Sequence, residues 1–397
     1  AEAFRQMLAG RIRPVALEAP WDVFGQKGEV SLDVNREIPP PPVPDQDAVK
    51  QAAKLIKQAK NPLILVGAGA FNAAEEINEL AQMIQAPVTA HRSGKGVVSN
   101  ELPHGLLSSE ALEYWPKCDL VIGIGSRLEL IHFRWNWIPD GLKTIRIDID
   151  PTEFVRLKPD IGIFTDAQIG TAALIEELSN SLDKIESRTD ELKEIKAVAR
   201  EKIKEVQPQF DYLQAIRTAL PPDGFFVEEI TQVGFTARFA FPVYAPRQYV
   251  TCGYQDNLGF GFHTGLGVKI ANPDKCVVSI SGDGGFLFGV QELATAVQHN
   301  INLVAVVFNN QAFGNVRRDQ NTVYDGRLLG ADLTNPDFVK LAESFGAKGV
   351  RVATPAELKQ ELTAAFMESG PVLIEVPLER GSESSPWPFI HPDLPAR

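Results

Sequence analysis

Short apolar runs recur along this chain, and each stops abruptly at glycine or a polar residue. In the first half they are Leu63–Val66, Ala86–Thr89, Asp119–Ile124 and Thr144–Ile149. In the second half they are Phe225–Glu228, Cys276–Ile280, Leu303–Phe308, Gly349–Val352 and Val372–Val376. Runs of this kind, without polar alternation, predict strands buried on both faces. Ala73–Ile84 reads as a helix between two of them. Strands alternating with helices predict parallel sheets covered on both faces, in an α/β, doubly wound architecture. The pattern is interrupted twice. Arg36–Asp47, "REIPPPPVPDQD", cannot be helical and predicts a stiff spacer. Thr171–Val206 reads as helical and becomes highly charged towards its end, as solvated helix faces do. These breaks divide the chain into a leading piece at 1–35, a linker at 36–44, a central Rossmann-like domain at 45–181, a helical connector at 182–206 and a second doubly wound domain at 207–397.

The leading piece predicts a helix over Ala1–Ala9 and a strand over Pro14–Leu17, entering "EAPWDV". It is either a docked terminal arm or the last helix and strand of a domain whose earlier part is missing from the chain; the second reading is preferred.

Composition narrows the partners. A chain of 397 residues is too long for one ordinary core, so more than one domain is expected. The net charge of −12 excludes a general affinity for nucleic acid or an anionic membrane. Cys118, Cys252 and Cys276 are scattered and read as reduced thiols. No run reaches the length of a membrane span, and the N-terminus lacks a signal-peptide layout. The expected location is cytoplasmic. His91, His104, His132, His263, His299 and His391 show no metal-binding spacing and read as loop or core residues.

Two strand ends carry the candidate chemistry. Cys276–Ile280 opens into Gly282-Asp283-Gly284-Gly285, and Leu303–Phe308 opens into Asn309-Asn310. Ligands of open parallel sheets gather at the carboxyl ends of strands. If the two strands are neighbours, Asp283 and Asn310 share one crevice and offer hard oxygen ligands suited to Mg2+ or Ca2+. Mg2+ completes its shell with backbone oxygen, water and phosphates. Gly284 and Gly285 let backbone amides approach an anion, and a helix starting near Phe288 adds its positive end. Each piece alone is equally a tight turn; together they point to a diphosphate tied down through a divalent ion. "LILVGAGAFNAAEEI" (Leu63–Ile77) reads G-x-G-x-x-N and is either a dinucleotide loop or a glycine turn packed for topology. "IHFRWNW" (Ile131–Trp137) lines a pocket or packs in a core, and "SPWPFIHP" (Ser385–Pro392) is a lid or a surface-docked tail.

"GDGGFLFGVQELATAVQHNINLVAVVFNNQAFG", with "GFGFHTGLGVKIANPDK" before it, resembles the thiamine-diphosphate motif of the acetolactate synthase and pyruvate oxidase branch, and the similarity runs back to "RPVALEAPWDV". The resemblance implies Mg2+ held by Asp283, Asn310 and the Ala312 carbonyl. It implies a diphosphate held by backbone around Gly282, Gly284, Gly285, Phe313 and Gly314. Leu258 would wedge the cofactor into a bent shape, with backbone at Asp256 and Leu258 meeting its aminopyrimidine. The bend brings the pyrimidine amine to the thiazolium C2, giving an ylid that attacks a carbonyl. The glutamate that activates the pyrimidine lies, in this family, on an N-terminal pyrimidine-binding domain of a second subunit. The leading piece is then that domain's remnant, no catalytic residue is assigned in this chain, and Glu18 lies after the glutamate's place. The resemblance further implies a homodimer or homotetramer with its active site at a subunit interface. It also implies FAD near Gly67, Gly69, the Gly123–Leu128 segment with Arg127, and the Ile147–Asp150 segment with Asp148 and Asp150; other members bind ADP there, or nothing.

Two departures argue against plain acetolactate synthesis. Asp319 stands where a tryptophan is expected, and "LLSS" at Leu106–Ser109 replaces "GMHG". Asn315, Arg317 and Arg318 place an amide and positive charge where a substrate acid would come. The expected function is C–C cleavage or ligation on a 2-oxo acid or diketone, of lyase or transferase type. The alternatives are a flavin- or nicotinamide-dependent oxidoreductase and a non-catalytic nucleotide-binding domain pair.

Overall fold

Two six-stranded sheets organise the chain. The computed structural model describes residues 2–31, 37–179 and 181–393. The first sheet contains β1 (Pro62–Val66), β2 (Val88–Thr89), β3 (Gly105–Leu106), β4 (Leu120–Ile124), β5 (Lys143–Asp148) and β6 (Ile161–Phe164), in the order β3-β2-β1-β4-β5-β6. The second contains β7 (Phe225–Glu228), β8 (Tyr249–Thr251), β9 (Val277–Gly282), β10 (Val304–Asn309), β11 (Lys348–Arg351) and β12 (Val372–Pro377), in the order β11-β12-β10-β9-β7-β8. Every pairing is parallel. The residues of β1, β4 and β10 are all buried, which is why these strands read as unbroken apolar runs. The short strands β3, β6 and β8 lie at sheet edges and are absent from the sequence reading, although β6 is itself a short apolar run, Ile161–Phe164.

In each sheet the chain winds outward from one strand, returns, and winds the other way. The order reverses between β1 and β4 in the first sheet and between β7 and β9 in the second. Such points open a crevice at the strands' carboxyl ends; the cleft of the first sheet lies at its reversal, and Asp283 and Asn310 follow β9 and β10 beside that of the second.

The flanking segments depart from the sequence reading. The N-terminal helix spans Glu2–Leu8, with Ala1 outside the described residues. Pro14–Leu17 forms no strand; Leu17 is exposed, and among the described residues no neighbouring strand supplies the pairing that a strand requires. The proline-rich spacer begins at Arg36, which lies outside the described residues. Its prolines run without helix or strand until Asp45 caps the helix Gln46–Gln58. Thr165 Oγ1 donates to the Pro42 carbonyl and ties the spacer to the first sheet. The expected helix over Thr171–Val206 is two helices, Ala167–Ser179 and Thr189–Ile203. Between them Arg188 anchors the chain, donating from Nη1 to the Tyr114 hydroxyl at 2.7 Å and to Asn61 Oδ1 at 3.2 Å. Among the described residues no helix is long and apolar enough to cross a membrane.

The two sheets are joined through polar contacts to one helix end. At the end of helix Gln232–Ala240 the Ala237 carbonyl accepts the Phe241 amide, and the last carbonyls take further donors from the central unit. Lys95 Nζ donates to the Ala237 and Arg238 carbonyls at 3.1 and 3.0 Å, and Ser109 Oγ donates to the Phe239 carbonyl at 2.7 Å. Asn100 and Val243 exchange two further bonds beside them. Ser109 belongs to the "LLSS" segment, so that departure serves the domain junction. Ser109→Ala should leave a buried carbonyl without a donor and lower stability by about 1–3 kcal/mol. Urea denaturation checks this; an unchanged midpoint would assign the junction to the other contacts.

Candidate active site

The acid and amides at the ends of β9 and β10 come together because these strands are neighbours, with Phe308 in register with Gly282. Asp283 is 2% exposed. Its Oδ1 accepts the Gly284 amide at 2.9 Å, and its Oδ2 accepts Asn335 Nδ2 at 2.7 Å. Burial raises its carboxyl pKa, against these bonds and the backbone amides of Gln311 and Ala312 that lower it. Asp283 is in no ion pair among the described residues. Asn310 Oδ1 accepts the Ala312 amide at 3.1 Å, and its Nδ2 donates to Glu383 Oε2 at 2.8 Å. Ala312 is buried and pinned by a bridge to Asp332. A carboxylate, an amide oxygen and a backbone carbonyl therefore lie on adjoining turns, a hard-oxygen set suited to Mg2+. No group of three or more His, Cys, Asp or Glu side chains among the described residues could hold a metal, so any metal here would rely on backbone and ligand oxygens.

The glycines of these turns have partners within the protein. A Cβ on Gly284 would lie 2.4 Å from the Phe313 ring, on Gly285 1.8 Å from Glu229 Oε1, and on Gly314 2.8 Å from Asn310 Nδ2. On Gly282 it would meet nothing closer than Thr231 Cγ2 at 3.5 Å. The helical turn opens at Asp283 itself (Asp283–Phe286), not near Phe288, and breaks before Leu293–Gln298. Gly289 sits in that break because the His263 ring occupies the space of a side chain.

Sequence reasoning missed what holds Leu258. Glu229, 1% exposed, accepts the Gly259 and Gly261 amides at 3.2 and 2.7 Å and Ser281 Oγ at 3.1 Å. It thereby clamps the Leu258 turn against the Gly284-Gly285 turn. Leu258 Cδ2 lies 3.7 Å from the position of a Gly285 Cβ, and Leu258 is 39% exposed. Asp256 adopts φ 54°, and its side chain is fixed as firmly as its backbone. It takes Arg238 Nη2 at 2.6 Å and Arg92 Nη1 at 2.7 Å. Burial alone would raise its carboxyl pKa; Arg238 and Arg92 hold it below the ordinary value. Arg238 also binds Glu228 at 3.0 Å, while Arg92 and Arg134 share Glu129 at 2.7 and 2.8 Å. This network had no signature in the sequence, because its members are brought together only by the packing of the two sheets.

At the β1/β4 reversal lies a cleft of about 550 Å³, a size suited to a small-molecule ligand. Gly67, Gly69, Arg127 and Asp148 line it; Asp150 does not. Asp150 instead caps helix Pro151–Arg156 through the Thr152 amide and pairs with Arg11 at 3.1 Å and with Arg13. Burial would raise its carboxyl pKa, but the bonds from Thr152 and Arg11 and the charge of Arg13 hold it at about 2. Asp148 Oδ1 accepts the Asp150 amide at 3.0 Å, and burial raises its pKa. The glycine turn is packed against protein. A Cβ on Gly67 would lie 2.3 Å from the Gly125 carbonyl oxygen, and one on Gly69 2.9 Å from Gly125 Cα. The Gly67 and Gly69 amides donate to the Ile124 and Gly125 carbonyls. Of the two readings of this loop, these contacts favour the packed glycine turn: its glycines permit close packing of two turns, and the Gly67 and Gly69 amides are already engaged. The polar lining comes from side chains. Arg127 lies over the Tyr254 ring at 4.9 Å, and Arg247 lies over Phe71 at 5.0 Å. His91 lines the same cleft at 8% exposure, with neither ring nitrogen hydrogen-bonded among the described residues. Burial, with Arg92, Arg238 and Arg134 nearby, pushes its pKa well below the ordinary value.

The remaining candidates divide. Trp135 and Trp137 pack on Trp115 at 5.0 and 6.2 Å as core, whereas Phe133 is exposed. The tail crosses both domains. Phe389 stacks on Phe239, Trp387 packs on Phe235, and Asn136 Nδ2 donates to the Pro392 carbonyl at 2.8 Å.

Two outcomes are expected. Gly67→Ala should cost about 1–3 kcal/mol or more without any ligand present, through the clash with Gly125; unchanged stability in urea would return this glycine to a ligand-binding role. His91 is neutral in the folded chain, so below pH 6.5 the unfolded chain takes up a proton that the folded chain refuses. Its contribution to stability is present above that pH and lost as pH falls. His91→Gln should flatten the fall in Tm between about pH 7 and about pH 5; an unchanged slope would place the acid sensitivity elsewhere.

The family description "Thiamine pyrophosphate enzyme, central domain" matches residues 49–177, and "Thiamine pyrophosphate enzyme, C-terminal TPP binding domain" matches residues 229–376. A probable acetolactate synthase large subunit of Methanocaldococcus jannaschii is 31% identical over 407 residues, covering 95% of this chain and 68% of that protein. The probable 2-ketoarginine decarboxylase AruI of Pseudomonas aeruginosa is 30% identical over 386 residues, with the same two coverages, 95% and 68%. Glyoxylate carboligase of Escherichia coli O157:H7 is 29% identical over 416 residues, covering 96% of this chain and 70% of the carboligase. The crystal structure of benzoylformate decarboxylase from Polynucleobacter necessarius shares the fold, with a TM-score of 0.74 at 22% identity over 91% of this chain and 69% of that one. Both doubly wound units thus match one family in sequence and in architecture, and the chain belongs to the thiamine pyrophosphate enzymes.

Proposed function

We propose that this chain binds thiamine diphosphate through Mg2+ and serves C–C bond cleavage or ligation on a 2-oxo acid or diketone. The observation that carries the reading is Asp283, a buried carboxylate without an ion-pair partner among the described residues, set beside Asn310 at the carboxyl ends of adjacent strands. A buried charge needs a counter-charge, and a divalent ion bound by Asp283, Asn310 and the Ala312 carbonyl supplies it. Asn310 Oδ1 already accepts the Ala312 amide, but an amide oxygen has a second lone pair for a metal. Bound there, the cofactor supplies a carbanion equivalent at C2 that adds to a carbonyl.

The chain's own part is to hold and to shape. The Gly284 and Gly285 turn, with Phe313 and Gly314, would receive the diphosphate. Leu258, clamped through Glu229, would stand against the cofactor's bend as a fixed wall. Leu258 and Phe288 remain exposed beside this site, apolar surface suited to a covering surface from a second subunit of a homodimer or homotetramer. The cleft at the β1/β4 reversal would take a nucleotide such as FAD, held by Arg127 and Arg247 rather than by the glycine turn. A nicotinamide-type oxidoreductase is not favoured, since the Gly67 and Gly69 amides are engaged by protein carbonyls.

Asp283→Ala should weaken Mg2+-dependent binding of thiamine diphosphate by more than about 100-fold, beyond the effect of losing a merely supporting residue. Calorimetric titration of variant and parent decides it, and equal affinities would remove the metal-site assignment.

A further inference from the structure

Arg317 and Arg318 are adjacent on helix Gly314–Thr322 but are engaged differently. Arg317 Nε donates to Asp332 Oδ1 at 2.8 Å, and Asp332 also meets Arg380 at 3.3 Å. Arg318 uses only Nη2, which donates to Asn315 Oδ1 at 2.8 Å and Asp319 Oδ1 at 2.9 Å. Its guanidinium lies over the Trp387 ring at 5.3 Å, and the Trp387 indole N–H donates to the same Asn315 Oδ1 at 3.3 Å. These contacts fix the plane of the guanidinium from two sides. Arg318 Nη1 is buried and without a hydrogen-bond partner among the described residues, although the side chain as a whole is 25% exposed. An oriented guanidinium with an unused N–H is prepared for an anion.

Its position ties it to the metal turn. Gly314, at the start of the helix, packs on the Asn310 amide, and Phe313 packs on Gly284. Arg318 is about one helical turn further along. Trp387 belongs to the same tail as Glu383, which accepts the Asn310 amide.

We infer that Arg318, braced by Asn315 and Trp387, binds the non-reacting carboxylate of a substrate that carries a second acid group beside its 2-oxo acid. This rests on the thiamine-diphosphate reading of the neighbouring turn. The reacting carboxylate is the poorer match. An arginine bound to a group that departs as CO2 would stabilise the ground state more than the transition state. A singly charged carboxylate fits better than a phosphate, because Arg317 is engaged by Asp332, and Asp319 and Glu383 already bring negative charge to the cluster.

The test titrates the whole chain, with Mg2+ and thiamine diphosphate present, with 2-oxoglutarate and with 2-oxopentanoate, which carries a methyl in place of the distal carboxylate. The parent should bind 2-oxoglutarate at least about tenfold more tightly. Arg318→Gln should remove that preference and leave 2-oxopentanoate affinity unchanged. Arg318→Lys, which keeps the charge but not the fork, should restore only part of it. A parent without the preference, an Arg318→Gln variant that retains it, or equal losses for both acids would overturn the inference. Thiamine diphosphate affinity in the same titrations reports the cofactor separately. An Arg318-dependent preference without cofactor binding would overturn the cofactor reading and leave this subsite standing.

Discussion

Three arginines and three carboxylates cross the boundary between the two sheets, and the geometry of both clefts depends on them. Arg92, Glu129 and Arg134 come from the central unit; Glu228, Arg238 and Asp256 come from the C-terminal one. The charges balance in sign. Every member has a partner within 3.0 Å, which a buried network of this kind requires, since a half-satisfied one is worse than an apolar core. Asp256 is the shared member. Held by Arg92 from one side and Arg238 from the other, it sets the left-handed turn that leads into Leu258. Arg92 follows His91, so the same bonds fix the floor of the central cleft.

Glycine has two separate meanings in this molecule. At Gly67, Gly69 and Gly125 the backbones of two turns touch, and no side chain fits between them. At Gly284, Gly285 and Gly314 the space of a side chain is taken by Phe313, Glu229 and Asn310, residues that shape the turns carrying Asp283 and Asn310. Both patterns look alike in sequence. They differ in what lies opposite: in the first case a backbone carbonyl already receiving the turn's amide, in the second the side chains of Phe313, Glu229 and Asn310.

The C-terminal tail also touches both units. Glu383 and Arg380 reach the Asn310 turn, Trp387 reaches Arg318, and His391 and Pro392 reach Arg134 and Asn136 in the central unit.

What the sequence determined by itself is local and periodic. Buried parallel strands read as apolar runs, so β1, β4, β5, β7, β9, β10, β11 and β12 were legible to within a residue or two, and with them the two doubly wound units. Asp283 and Asn310 were legible as a pair because each follows such a run directly. Tertiary structure decided everything that depends on what lies across a gap. Pro14–Leu17 has the composition of a strand but, among the described residues, no neighbour to pair with. The edge strands β3, β6 and β8 form only because a partner strand lies beside them. Asp150 looked like a ligand-binding acid and is a helix cap held by Arg11 and Arg13, well over a hundred residues away in sequence. Arg318 was legible as a positive charge near the site, but not its bracing by Asn315 and Trp387; Glu229 and His91 carry no motif. Their roles follow from burial and from the partners they have or lack, and neither quantity exists until the chain has folded.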